Sequence, residues 1–156
     1  GVTDLPFTEV SCIGNPYRPD KSADNQYNNP FRDEIALLRT KEGGIARMAR
    51  TRTPGMASET GRVQGERGSY YKEYKGYEKN LPDLERPPLP PGVPAGGHGG
   101  SHGRLTDEFI TSILLDRKPL VDIAMALNMT VPGIVAHQSA LKDGEWMKVP
   151  QFNYWE

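Results

Sequence analysis

Side chains alternate from Phe7 onward, with Phe7, Glu9, Ser11 and Ile13 on one side and Thr8, Val10 and Cys12 on the other. A period of two predicts a β-strand. Residues 15–30, rich in Asn, Pro and Asp, read as a polar loop. Phe31–Thr40 is a second predicted strand, and Lys41-Glu42-Gly43-Gly44 is a hairpin turn with glycine where positive φ is needed. The return strand is expected over Ile45–Arg52, with Ile45, Arg47 and Ala49 facing one way and Ala46, Met48 and Arg50 the other. Its arginines mean that at least one face is wet or meets a partner. Thr53-Pro54-Gly55 ends it, and the stretch from Val63 through Glu66-Arg67-Gly68 to Tyr71 reads as a further hairpin. The connections are short, so the strands should be antiparallel.

The pattern then changes. Six prolines in the thirteen residues Pro82–Pro94 make residues 76–100 an extended crossing segment. Leu105, Phe109, Ile110, Ile113 and Leu114 recur at helical spacing, which predicts a helix over 102–117, stopped by Lys118-Pro119. Asp122 is an expected N-cap for a second helix reaching about Leu141, with Gly144 as its stop and Pro132 as an interior kink or break. Trp146–Phe152 is a final strand candidate. Strands followed by helices predict an α+β fold, an open, mostly antiparallel sheet with helices packed on one face. One domain is expected over 1–156, divided into strand-rich 6–75, crossing segment 76–100, helices 101–144, and final strand and tail 145–156.

Composition narrows the classes. With 17 glycines and 14 prolines, a fifth of the 156 residues are loop formers. A formal net charge of −1 gives no electrostatic argument for nucleic acid or an anionic membrane, and neither partner is expected. The single Cys12 excludes an internal disulfide and a multi-cysteine metal site. No apolar run reaches the roughly 18 residues that cross a bilayer. The first residue is Gly1, not Met, and the sequence is expected to be a piece of a longer one.

Candidate chemistry centres on Gly96-Gly97-His98-Gly99-Gly100-Ser101-His102, two imidazoles on nearly bare backbone at a helix start. Glycines let a ligand approach without a Cβ in the way, and the first-turn N–H groups add a weakly positive field. This suits a hydroxyl-rich or anionic ligand, and a histidine there can take a hydroxyl proton as general base. The competing reading is a flexible joint. No carboxylate or cysteine completes a metal set around His98 and His102, so no metal is expected. His137 lies on the second predicted helix and reads as a structural histidine. Gly61, Gly65 and Gly68 are turn glycines, since a dinucleotide fingerprint needs GxGxxG between a strand and a helix. Ser69, Ser101 and Ser139 lack a nucleophile-elbow context. Tyr70, Tyr71, Tyr74 and Tyr77 are expected to pack on the sheet, with sugar stacking as the alternative.

The helical half resembles the C-terminal domain of the Gfo/Idh/MocA oxidoreductases, especially the branch known as glycoside hydrolase family 109 and its sugar-oxidising relatives. The residues carrying this are the Gly96–His102 block, Asp107-Glu108-Phe109, Pro119 and Asp122, the Asn128–Leu141 run, Lys142-Asp143-Gly144 and Val149-Pro150-Gln151-Phe152. Asn29-Pro30-Phe31, the Gly43-Gly44 turn, Gly61-Arg62-Val63 and Gly65–Ser69 fit as well. The resemblance implies a parent whose N-terminal Rossmann domain binds NAD or NADP, with this domain walling a sugar or glycoside pocket and forming homo-oligomers through the sheet face. It implies His98 as the catalytic residue, with His102, Gly97, Gly99 and Arg104 on the substrate. The chain lacks the family's dinucleotide fingerprint and Glu-Lys-Pro motif. It is therefore expected to hold no cofactor and to be inactive alone. The alternative is a non-enzymatic carbohydrate-binding or oligomerisation module. Arg47, Arg50, Met48 and Leu38 are the expected interface residues.

Overall fold

The computed structural model describes residues 5–17, 28–51, 60–81 and 88–153. They fall in two compact units, residues 1–52 with 118–156, and residues 53–117.

In the first unit, β1 (Phe7–Pro16), β2 (Phe31–Thr40), β3 (Ile45–Arg50) and β7 (Met147–Lys148) form an antiparallel sheet in the order β3-β2-β1-β7. The β2–β3 turn forms as expected. Gly43 takes φ 90°, its N–H donates to the Thr40 carbonyl at 3.1 Å, and Thr40 N–H donates to the Gly44 carbonyl at 2.9 Å. Such a φ is open to glycine at no steric cost. The strand expected at Trp146–Phe152 shrinks to Met147–Lys148, because only Glu9 and Val10 face it. The strand expected over Ile45–Arg52 ends at Arg50, with Thr51 already outside it, while Thr53-Pro54-Gly55 lies outside the described residues, as does most of the 15–30 loop, whose base is closed by Tyr17 N–H on the Pro30 carbonyl at 3.2 Å.

Helix α2 (Ile123–Ala140) crosses one face of this sheet. Asp122 caps it, accepting from Met125 N–H at 2.8 Å, and the Lys118 ammonium at 2.7 Å, followed by this backbone bond, holds its carboxyl below the usual value. Pro132 neither splits nor ends the helix, which runs unbroken through it. The core is the α2 face. Val10, Cys12, Ala36 and Leu38 from the strands meet Val135, Ala136 and Ala140, with Val149 beside them. Register places Val10 opposite Leu38, Cys12 opposite Ala36 and Leu38 opposite Ala46, so these side chains share one side.

This corrects the interface expectation. Leu38 is fully buried under α2, and Met48 and Arg50 lie on that same side along β3. Only Arg47 of the four faces the open side, beside Ile13, Ile35, Leu37 and Ile45, all exposed. The cause is a run in β2, Ile35-Ala36-Leu37-Leu38, apolar on both faces, where alternation carries no sign.

A buried hydroxyl ties α2 to the sheet. Beyond Val10, β1 has no strand partner on the β7 side. There Cys12 N–H donates to Ser139 Oγ at 2.9 Å, and Ser139 donates to the Glu145 carbonyl at 2.6 Å. Gly144 (φ 86°) turns the chain back under Ile13, where a Cβ would collide with Ile13 Cδ1, and its carbonyl accepts from Ser11 Oγ at 2.7 Å. Replacing Ser139 with Ala should leave the Cys12 N–H buried and unpaired. We expect a loss of about 1–3 kcal/mol in urea unfolding, with Cys12 amide exchange accelerated.

The second unit carries β4 (Val63–Gln64), β5 (Gly68–Tyr71) and β6 (Glu73–Gly76) in the order β4-β5-β6, and helix α1 (Gly97–Leu114). The seven strands among the described residues thus form two antiparallel sheets, and β6 occupies residues expected at the junction with the crossing segment. Tyr74 anchors this sheet, donating to the Arg67 carbonyl and accepting from Glu78 N–H, both at 3.3 Å.

Candidate functional site

Helix α1 begins at Gly97, earlier than the 102 expected, and its first turn is irregular. Gly96, the N-cap, has φ 76°, His98 φ 51° and Gly100 φ 93°, and no side chain caps the helix. Left-handed backbone at alternate residues is uncommon outside glycine, and at His98 it costs about 1–2 kcal/mol. Such strain gathers at sites where the fold fixes a side chain for use.

The glycines have a packing role that spacing did not reveal. A Cβ on Gly96 would stand 2.8 Å from His102 Cβ, and one on Gly97 would stand 3.1 Å from His102 Cε1. His102 therefore folds back over Gly96 and Gly97. The His98 ring meets it edge to face, with centroids 5.4 Å apart and planes at 60°. Both imidazoles are exposed. Gly103 is buried against the Pro94 carbonyl and Leu89, and its N–H donates to the Ala95 carbonyl at 2.9 Å, which fastens the crossing segment to α1. The structure thus brings His98, His102 and Gly97 together. Gly99 lies in the same turn, and Arg104 follows on α1, half-buried. Among the described residues, no cluster of three His, Cys, Asp or Glu side chains could hold a metal.

His137 is not part of this block. It lies on α2 in the first unit, with Nδ1 2.9 Å from Glu34 Oε1 and the Phe31 ring edge-on at 5.9 Å. The Gly61, Gly65 and Gly68 string is a turn, with Gly65 N–H on the Gly68 carbonyl at 2.9 Å. Sequence reasoning missed the Glu34–His137 pair. The two residues are 103 positions apart and neither lies in a motif. Cys12 is buried, and burial followed by the Glu34 charge pushes its thiol up, which makes it unreactive.

An antiparallel sheet crossed by a helix, joined in sequence to a glycine–histidine helix start, defines a small α+β fold. The solved structures that share this fold include levoglucosan dehydrogenase, in a complex with NADH and L-sorbose, with a TM-score of 0.61 and 14% identity over 94% of this chain and 46% of that one. Myo-inositol 2-dehydrogenase from Lactobacillus plantarum matches with a TM-score of 0.60 and 16% identity over 95% of this chain and 44% of its own. An oxidoreductase domain protein from Kribbella flavida matches with a TM-score of 0.59 and 16% identity over 93% and 45%. The chain spans less than half the length of each, and at these identities the likeness is one of fold. No protein-family model matches the chain, and no curated protein is recognisably similar to it in sequence.

Proposed function

We propose that this chain is the substrate-facing C-terminal part of a longer nicotinamide-dependent sugar or polyol oxidoreductase, or of an NAD-dependent glycosidase. The observation that carries the reading is His98, an exposed imidazole in a left-handed conformation, flanked by glycines and edge-on to His102. The fold supports it, since the structural neighbours include sugar and polyol dehydrogenases.

In this reading His98 takes the proton of a substrate hydroxyl, or returns one to a glycosidic oxygen. His102 fixes the His98 ring from behind and holds the turn. Gly97 and Gly99 leave room for the sugar ring, and Arg104 donates to its oxygens. NAD or NADP would supply hydride transfer. The described residues do not fit that cofactor: the Gly61–Gly68 string lies in the β4–β5 hairpin, and the Gly96–Gly100 string that opens α1 follows the proline-rich segment rather than a strand. Its binding is assigned to an N-terminal Rossmann domain of the longer protein.

The test compares the longer protein with the 156-residue chain. The longer protein should reduce NAD(P)+ with at least one sugar or polyol, and the chain alone should neither turn over nor bind NADH. Saturable micromolar NADH binding by the chain alone would contradict the assignment. Nicotinamide-free behaviour of the longer protein would favour a carbohydrate-binding module.

The open face of the first unit's sheet is the proposed oligomer surface. It presents Ile13, Ile35, Leu37 and Ile45, and Trp146 lies under the Arg39 guanidinium at 4.2 Å. Sedimentation should show a dimer or larger species at high protein concentration. A strict monomer would count against this surface.

A further inference from the structure

A cavity of about 270 Å3 lies within the first unit, between α2 and the β2–β3 side of the sheet. Helix α2 covers β1 and β2 but leaves the same side of β3 uncovered, so a groove remains beside it. Ala36, Met48, Met129 and Gly133 make most of its wall apolar. Glu34, Arg50 and His137 make the rest polar.

The polar groups are unevenly matched. Glu34 gives one carboxylate oxygen to His137 Nδ1 at 2.9 Å and the other to Asn29 Nδ2 at 3.4 Å. Arg50 is the direct cross-strand neighbour of Glu34, yet the carboxylate is turned to His137. Among the described residues Arg50 has no hydrogen-bond or ion-pair partner, and the second ring nitrogen of His137 has none either. The nearby Arg32 guanidinium is already spent on Asp33. One cation and one imidazole nitrogen are therefore unmatched at an apolar groove. An anion in the groove would sit between the Arg50 guanidinium and the His137 ring, on the side away from Glu34.

We propose that this groove binds an apolar monocarboxylate of about eight carbons, its carboxylate between Arg50 and His137 and its chain along Met48, Met129 and Gly133. The cavity would hold about nine waters at liquid density, comparable to the ten non-hydrogen atoms of such an acid. Met48 and Met129 at the mouth are flexible enough to close over the chain.

The experiment is isothermal titration calorimetry of the 156-residue chain with octanoate, 1-octanol and acetate. Octanoate should bind saturably with a Kd of roughly 0.1–1 mM, and both controls at least tenfold more weakly. Arg50→Gln should weaken octanoate roughly tenfold or more, since it removes a charge-assisted contact. Gly133→Leu should abolish binding by filling the groove; an added Cβ there meets nothing within 4 Å, so the fold tolerates it. The site is overturned if octanoate does not saturate, if octanol binds as well as octanoate, or if both variants bind octanoate like the parent chain. None of these results bears on the glycine–histidine block.

Discussion

His98→Ala in the longer protein should lower kcat by about 10²–10⁴, the usual worth of a general acid–base group, while the melting temperature stays near that of the parent. The side chain is exposed, so its removal leaves no cavity. Alanine at φ 51° carries much the same backbone strain as histidine, so the turn should persist. The neighbouring histidines separate this from general damage. His102→Ala uncovers Gly96 and Gly97 and should disturb the turn, with KM rising and kcat falling less than for His98→Ala. His137→Ala breaks the Glu34 contact on α2 and should act through stability, leaving kcat intact. Turnover and melting curves for the three variants are the check. If His98→Ala retains near-parent kcat, the block is a hinge.

Leu38→Ala should destabilise the first unit by about 2–5 kcal/mol, the range for truncating a buried leucine in a packed core. Leu38 is 2% exposed, whereas Leu37 is 43% exposed on the opposite face. Leu37→Ala should therefore cost less than about 1 kcal/mol in the monomer. The contrast tests the register of β2, because a slip of one residue would exchange the two faces. Urea titration of both variants decides it. Equal losses would mean that α2 does not cover the Ala36–Leu38 side.

What could be read from sequence was local in origin. The ends of β2, the Gly43-Gly44 turn and the Asp122 cap follow from side-chain period and from residues that fix a turn or satisfy a free N–H. The glycine–histidine block was also visible, as composition. Its geometry was not, because spacing shows neither the left-handed turn at His98 nor His102 folded back over Gly96 and Gly97. The inward face of β2 was illegible for the opposite reason, since four consecutive apolar residues satisfy either face. The Ser139 tie and the Glu34–His137 pair are single long-range contacts between residues with no local signature. The β6 strand was hidden by its position, immediately after a hairpin and before the prolines.

The most direct test of the central claim is a crystal structure of the longer protein with a nicotinamide cofactor and a sugar or polyol bound. The account predicts a substrate hydroxyl within hydrogen-bond distance of the His98 ring and the cofactor held entirely by residues outside this chain. A sugar bound away from the Gly96–His102 turn, or a dinucleotide cradled by this chain, would contradict it.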